Sequence, residues 1–358
     1  MDNNLPKVSV IVPLYNQKRH LESCLRSICN QTYRNLEILV INDGSTDNSP
    51  DIARKMANQD SRIRVIDKTN GGVASARREG YLNATGEFIA FSDNDDLLTA
   101  NAIEIMLGHI EKHDVDLVIG KSKMKLGPIT WGSILGDIPK HQVITQPELY
   151  NKYYVTFFGK TFFPVDIWGR LFRKRAIDNA YKQTDLYNDK IRFLADDVYF
   201  NMKLFPYLRS LYVTDELVYY YRYGGTVYHF NRNYPEVLTL SDLRLDILDE
   251  KGYSDGYLPL YVEYANKVYY HAEQLLEFKK SDYQVIIDFF SQELSTRKIF
   301  RRMQDFFTNH ECKNPGVELM LNHDYDGMYK YACDFVKNRR YSVKYRTQRA
   351  LLWLVEHS

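Results

Sequence analysis

Two hydrophobic rhythms alternate over residues 6–120. Val8 to Val12 is a short β-branched run stopped by Pro13, after which Leu21, Cys24, Leu25 and Ile28 recur at helical spacing. Leu36 to Ile41 is apolar apart from Glu37. A helix follows, with Ser49 as its expected N-cap and Pro50 at its first position. Ile63 to Ile66 predicts a third strand, and Val73, Ala76 and Gly80 mark one face of the next helix. Phe88 to Phe91 reads as a fourth strand. Ile103, Met106, Leu107 and Ile110 define a further helix, capped by Asn101 with Glu104, before a fifth strand at Leu117 to Ile119. This alternation implies right-handed β-α-β crossovers, hence a doubly wound, mainly parallel α/β sheet covered on both faces.

After Gly120 the rhythm breaks. Residues 121–165 mix Gly, Pro and aromatics without clean periodicity and read as an excursion over the sheet. Short elements resume over 166–223, including a helix near Val198–Leu204 and a Tyr-rich strand at Leu217–Tyr221. From residue 235 the pattern is helical, as in Leu258–Phe278 and Tyr283–Leu294. The expected division is therefore an α/β domain over 1–230 and a helical C-terminal domain over 231–358.

The 358 residues are 44% hydrophobic and 26% charged with a net charge of +1, a composition that folds. Because 47 Lys+Arg balance 46 Asp+Glu, a global basic field for nucleic acid is excluded. No apolar run approaches the ~18 residues of a spanning helix, and the N-terminus lacks the pattern of a secretory signal. Cys24, Cys29, Cys312 and Cys333 form no C-x-x-C pair, so a reduced cytoplasmic protein is expected. Residues 335–355 contain no acid, carry Lys337, Arg339, Arg340, Lys344, Arg346 and Arg349, and end in Leu351 to Val355. Two readings stand. The tail is a helix packing its apolar end on the core, or an interfacial helix at the inner face of an anionic membrane. Oligomerisation through the Tyr-rich helices is a third expectation.

In a parallel α/β sheet, ligands bind outside the carboxyl ends of the strands. Here those ends read Pro13-Leu14-Tyr15-Asn16, Asn42-Asp43-Gly44-Ser45-Thr46-Asp47, Asp67 to Gly72, and Ser92-Asp93-Asn94-Asp95-Asp96. All are polar, and all belong on one edge. Asp93, Asp95 and Asp96 are spaced to converge on a hard divalent cation, Mg²⁺ or Mn²⁺, of the kind that bridges carboxylates to phosphates. Gly71-Gly72 opens a helix whose N–H groups can approach a phosphate, with Arg77 adding charge. Tyr15 can stack on a base and Asp43 can accept from a base N–H. Taken singly, each has a plain structural reading: an acidic turn, a glycine turn, a packed tyrosine.

Together these segments resemble glycosyltransferase family 2, densely over residues 6–120 and more thinly over 166–227. The resemblance implies the GT-A fold with a C-terminal helical module, and inverting, metal-dependent transfer from a UDP-sugar to an acceptor hydroxyl. It places Pro13, Tyr15, Asn16 and Asp43 in the nucleoside pocket. Gly72 and Arg77 lie near the nucleotide, Asp93 on ribose or metal, and Asp95 on the metal. Ala195-Asp196-Asp197 resembles the family's E-D element, with Asp196 where Glu is usual, which makes Asp197 the catalytic base. Ile167-Trp168-Gly169-Arg170-Leu171-Phe172 resembles the acceptor-side segment, bringing in Trp168 and Arg170, and Asp196 is expected on the acceptor side with them. Tyr221 to Thr226 resembles the loop that closes over the diphosphate through Arg222. His229, just beyond, reads as structural.

The expected enzyme is a hexosyl- or N-acetylhexosaminyltransferase of bacterial cell-surface glycan type. It would build a polysaccharide, a teichoic-acid-type polymer or a protein-linked glycan, on a glycan, lipid-linked or protein-linked acceptor. A nucleotidyltransferase would need a Gly-rich basic loop after the first strand, which Pro13 to Gln17 is not; a dehydrogenase would need G-x-G-x-x-G there. A non-catalytic sugar-nucleotide-binding module would not need both Asp95 and Asp197.

Overall fold

The computed structural model describes residues 5–135, 138–159, 163–223 and 234–341. Two units emerge from the contacts. The first comprises residues 1–157 and 161–225, the second 158–160 and 226–358.

The first unit is built on one mixed sheet. Its strands are β1 (Val8–Leu14), β2 (Leu36–Asp43), β3 (Ile63–Lys68), β4 (Phe88–Phe91), β5 (Leu97–Leu98), β6 (Leu117–Leu126), β7 (Ile129–Trp131), β8 (Val143–Thr145), β9 (Arg170–Arg173) and β10 (Ser210–Arg222). The order is β3-β2-β1-β4-β9-β6-β10-β5, with β7 on β6 and β8 on β10. Pairing is parallel from β3 through β4 and between β6 and β10. Strand β9 runs antiparallel between β4 and β6, so those two share one direction. The parallel sheet expected from the sequence is thus present, with one reversed strand inside it.

Helices α1 (Leu21–Cys29), α2 (Ser49–Ala57), α3 (Val73–Asn83), α4 (Ala102–His113), α5 (Lys174–Tyr181) and α6 (Asp196–Leu204) complete this unit. Strand β1 is buried along its whole length, as a central parallel strand covered on both faces should be. Val8, Val10, Val12 and Leu14 join Leu21, Cys24, Leu25 and Ile28 in one apolar core. Ile11 points the other way, toward α3. There Gly80 lets the helix close in: a Cβ at this position would lie 2.4 Å from Ile11 Cγ2 and 3.2 Å from Ile41 Cγ1. Two helix starts differ from expectation. Asn48 takes the cap position of α2, and the Ser49 hydroxyl, one residue inside, accepts from Gln17 N–H at 2.7 Å. Asn101 caps α4 without a side-chain bond, because Glu104 instead accepts from Thr32 Oγ1 at 2.6 Å.

The second unit is helical, with α7 (Pro235–Lys251), α8 (Tyr257–Phe278), α9 (Tyr283–Thr296), α10 (Lys298–Phe307), α11 (Pro315–Leu321) and α12 (Tyr325–Tyr341). Buried tyrosine hydroxyls bind it internally: Tyr264 donates to Glu293 at 3.3 Å and Tyr269 to the Gly316 carbonyl at 2.8 Å. Among the described residues no helix is long and apolar enough to cross a membrane. Gly224 to Thr226, His229 and the basic tail beyond Tyr341 lie outside the described residues.

The Gly80 contact gives a direct test. Alanine is worth about 1 kcal/mol more than glycine in a helix, yet its methyl group would meet a fully buried isoleucine. Gly80→Ala is expected to lower stability by about 1–3 kcal/mol in urea melts; a stabilised variant would mean that α3 can lift off β1.

Candidate active site

The polar strand ends do share one edge, and hydrogen bonds sew them to each other. Asn16, at φ +48°, turns its carboxamide oxygen to accept from the N–H groups of Thr46 (2.7 Å) and Asp47 (3.3 Å). Its own N–H donates to Ser45 Oγ at 3.1 Å. The Pro13 carbonyl accepts from Asn94 Nδ2 at 2.8 Å, tying β1 to the end of β4. Asn16 and Pro13 therefore shape the edge through bonds within the protein. Tyr15 stands beside them 49% exposed.

Asp43 and the glycine pair turn out to serve each other. The buried Asp43 carboxylate accepts from Lys68 Nζ (2.6 Å) and Gly71 N–H (2.9 Å) on one oxygen and from Gly72 N–H (2.8 Å) on the other. The two amides expected to reach a phosphate are thus occupied, and Asp43 is correspondingly less available to a base. Gly72 itself is required by geometry: φ is +91°, and a Cβ would sit 2.3 Å from the Arg192 carbonyl oxygen. That carbonyl also accepts from Ala74 N–H at the start of α3.

The three acidic residues after β4 diverge instead of converging. Asp93 accepts from Arg77 Nη2 at 2.6 Å. Asp96 turns inward to accept from the Tyr219 hydroxyl (2.9 Å) and from Arg222 N–H (2.6 Å). Burial and the neighbouring Asp95 and Asp93 charges push its carboxyl well up. Asp95 is pushed to about 6, first by burial and then by Asp93, with Arg222 opposing. Arg222 spends its Nε on the Asp95 carbonyl (2.6 Å) and an Nη on Ser23 Oγ (3.2 Å). Among the described residues no three His, Cys, Asp or Glu groups come together as a metal cage. The expected three-carboxylate convergence is corrected accordingly. What remains is one desolvated carboxylate, Asp95. A single carboxylate plus substrate phosphates is a donor set that suits Mg²⁺ or Mn²⁺.

Across the edge, α6 opens at Ala195, whose φ is +64°. Asp196 is 7% exposed and accepts from Arg77 Nη1 at 2.5 Å. Arg77 thus holds Asp93 with one nitrogen and Asp196 with the other. Burial works against its charge, but Asp196, Asp93 and Asp197 outweigh burial and keep it protonated. Asp197 accepts from Val198 N–H at 2.7 Å. Its carboxyl is pushed to about 8 by burial, Asp196 and Asp166, against Arg77. A carboxyl whose proton exchanges near neutrality is suited to general-base chemistry.

The acceptor-side segment is placed inside the unit. Trp168 is 8% exposed and stacks on Tyr219 and Tyr221, with centroids 4.8 and 5.5 Å away. Arg170 is 1% exposed, donates to Asn201 Oδ1 at 2.9 Å and to the Pro164 carbonyl, and is lowered to about 10 by burial. Its guanidinium is consumed by the fold, which corrects its expected contact with an acceptor. One site residue escaped the sequence reading. Asp166 lies among these groups and is pushed to about 6, chiefly by burial. Its available signal was a single acid in the aromatic stretch from Phe157 to Trp168.

Residues 9–180 match the family model described as Glycosyl transferase family 2. The chain is 32% identical over 222 residues to the glycosyltransferase GlyA of Streptococcus pneumoniae, covering 60% of this chain and 30% of that protein. It is 33% identical over 219 residues to EpsJ of Bacillus subtilis, described as an uncharacterized glycosyltransferase, covering 61% of each. It thus spans less than two thirds of either relative. The structure of S. aureus TarS 1-349 in complex with UDP superimposes with a TM-score of 0.57 at 20% identity, covering 93% of this chain and 92% of that one. TarS 1-349 in complex with UDP-GlcNAc gives a TM-score of 0.54. The fold is shared, and the GT-A architecture with a helical C-terminal region is the one observed.

Removing the shared cation should strand the buried Asp196 carboxylate and the partly buried Asp93 carboxylate. Arg77→Met is expected to cost about 3–5 kcal/mol at pH 7, the range for breaking one side of a buried ion pair. Urea melts decide; a loss within about 0.5 kcal/mol of zero would contradict the pairing.

Proposed function

The chain carries a glycosyl transferase family 2 domain, and from that premise we propose that it is an inverting glycosyltransferase. It moves a hexosyl or N-acetylhexosaminyl group from a UDP-sugar to an acceptor hydroxyl, with a divalent cation. The carrying observation is that Asp95 and Asp197 have raised carboxyls with no cation bonded to either among the described residues, while Arg77 ties their neighbours Asp93 and Asp196 together. Asp43, Asp93 and Asp196 are paired with Lys68 and Arg77.

Support for a UDP-sugar comes from the TarS complexes and from the exposed Tyr15, which can stack on the base. The cation reading rests on Asp95, a buried carboxyl with no cation bonded to it among the described residues, which a bound cation would join to a diphosphate. Held by Asp95, the cation would neutralise charge on the departing diphosphate. Asp197 takes the proton from the acceptor hydroxyl while that oxygen bonds to the anomeric carbon. The bond to the diphosphate oxygen breaks with its electron pair, and UDP leaves. A single displacement inverts the anomeric centre and needs no enzyme nucleophile.

The biological setting we propose is assembly of a cell-surface polysaccharide, a teichoic-acid-type polymer or a protein-linked glycan, at the inner face of the membrane. The acceptor would be a glycan, lipid-linked or protein-linked. Residues 1–230 would serve as the nucleotide-sugar and catalytic domain, with 231–358 contributing acceptor, subunit or membrane-surface contacts.

The test is turnover of UDP-glucose, UDP-galactose, UDP-GlcNAc, UDP-GalNAc and GDP-mannose with Mn²⁺ or with EDTA. One UDP-sugar should turn over with metal only, and Asp95→Ala and Asp197→Asn should each lose about 10²–10⁴-fold. Asp197 must be ionised to accept a proton, so kcat/KM should rise with pH toward a plateau above about 8. Activity undiminished in EDTA, or in Asp197→Asn, would overturn the mechanism.

A further inference from the structure

Asp166 is fixed in place from two directions. On one side, the bridge between Phe91 and Trp168 runs the chain after Asp166 along the end of β4, next to Ser92 and Asp93. On the other, Asn201 Nδ2 of α6 donates to the Val165 carbonyl (2.6 Å) and to the Asp197 carbonyl (2.8 Å). Arg170 of β9 completes the clamp through Asn201 Oδ1 and the Pro164 carbonyl. The residues before Asp166 are thereby bolted to the same turn of α6 that carries Asp197.

The charges around the two groups are few. Asp166 faces Arg170 of β9, Asp93 after β4, and Asp197. Asp197 faces Asp196 on its own helix, Asp166, Arg77 of α3 and Arg170 of β9. Both guanidinia are committed elsewhere, Arg77 to Asp93 and Asp196, and Arg170 to Asn201 and Pro164. Asp166 and Asp197 therefore share the neighbourhood of Asn201 with no cation bonded to either among the described residues.

Building on the proposed transfer reaction, we infer that Asp166 is a positioning residue for the base: its carboxylate is held beside Asp197 so that Asp197 accepts the acceptor proton more readily. Two carboxylates sharing one desolvated site do not ionise independently. The more exposed partner gives up its proton first, and its negative charge then makes the other a stronger base. Asp166 is one of the charges that raise the Asp197 carboxyl to about 8, after burial and Asp196. The rigid clamp matters because the effect depends on a fixed separation between the two groups.

The test is the titration of Asp197 itself, in the full chain with ¹³C-labelled aspartate carboxyls, the resonance being assigned by its loss in Asp197→Asn. In Asp166→Asn the Asp197 midpoint should fall by about one pH unit, the size expected for removing one nearby charge. In Asp166→Glu it should return toward the wild-type value. The acid limb of kcat/KM should move with it, and the plateau should drop, since a less basic carboxylate is a poorer general base. A residue that only supports the loop would lower the melting temperature and leave the Asp197 midpoint unmoved; that result in a folded Asp166→Asn overturns the inference. Asp166→Ser reads the same midpoint if the asparagine variant does not fold. Because the titration uses no substrate, a chain inactive with every donor would overturn the transfer reading, whereas a moved midpoint would still uphold the pairing.

Discussion

The architecture of the site depends on one buried guanidinium. Arg77 comes from the second turn of α3, reaches the acidic segment after β4 with one nitrogen and the first turn of α6 with the other. Isolating a cation from water is expensive, and the cost is offset only when partners are close and fixed. The fold provides two, 16 and 119 residues away in sequence. The strand edge proposed to bind nucleotide and the helix proposed to carry the base are therefore held by a single planar group. Everything else at the edge follows from that fixed frame. Asp43 locks the glycine turn that starts α3, and the Arg192 carbonyl packed against Gly72 brings the loop before α6 onto the same turn.

Within that frame the charges divide into two classes. Asp43, Asp93 and Asp196 have cations bonded to them and act as structure. Asp95, Asp166 and Asp197 do not, and burial pushes each carboxyl upward. Such groups weaken the folded state at neutral pH, because the unfolded chain would ionise them freely. Their retention in a well-packed domain is understandable if the energy is recovered on binding substrate, the usual relation between an active site and its scaffold.

Much of this was legible in the sequence, and the reasons for success and failure are physical. Strands β1, β2 and β4 are nearly continuous apolar runs because both faces of the sheet are covered there, whereas β3 at the sheet's end is partly exposed, and the polar ends of all four mark the ligand edge by direction alone. Strands β5, β7 and β8 have two or three residues and carry no period. Strand β9 begins with an arginine, which reads as surface until Asn201 and Pro164 are seen to satisfy it. The roles of Asp43, Gly72 and Arg170 went astray for one reason. Each is a chemically plausible ligand group whose partner turned out to lie within the protein, 29 to 31 residues away. Asp166 was invisible because its significance comes from Asp197, which only the folded loop brings near. Sequence reveals which groups could act, whereas the unspent ones emerge only after every internal bond has been assigned.

The most direct test of the account is calorimetric titration of UDP into the full chain, with Mn²⁺ present and then with EDTA. A nucleotide site completed by a cation on Asp95 should bind UDP with metal and lose most of that affinity without it. If UDP bound equally in both conditions, the cation would have no place in the site. If UDP bound in neither, the strand edge organised by Arg77 would not be a nucleotide site at all.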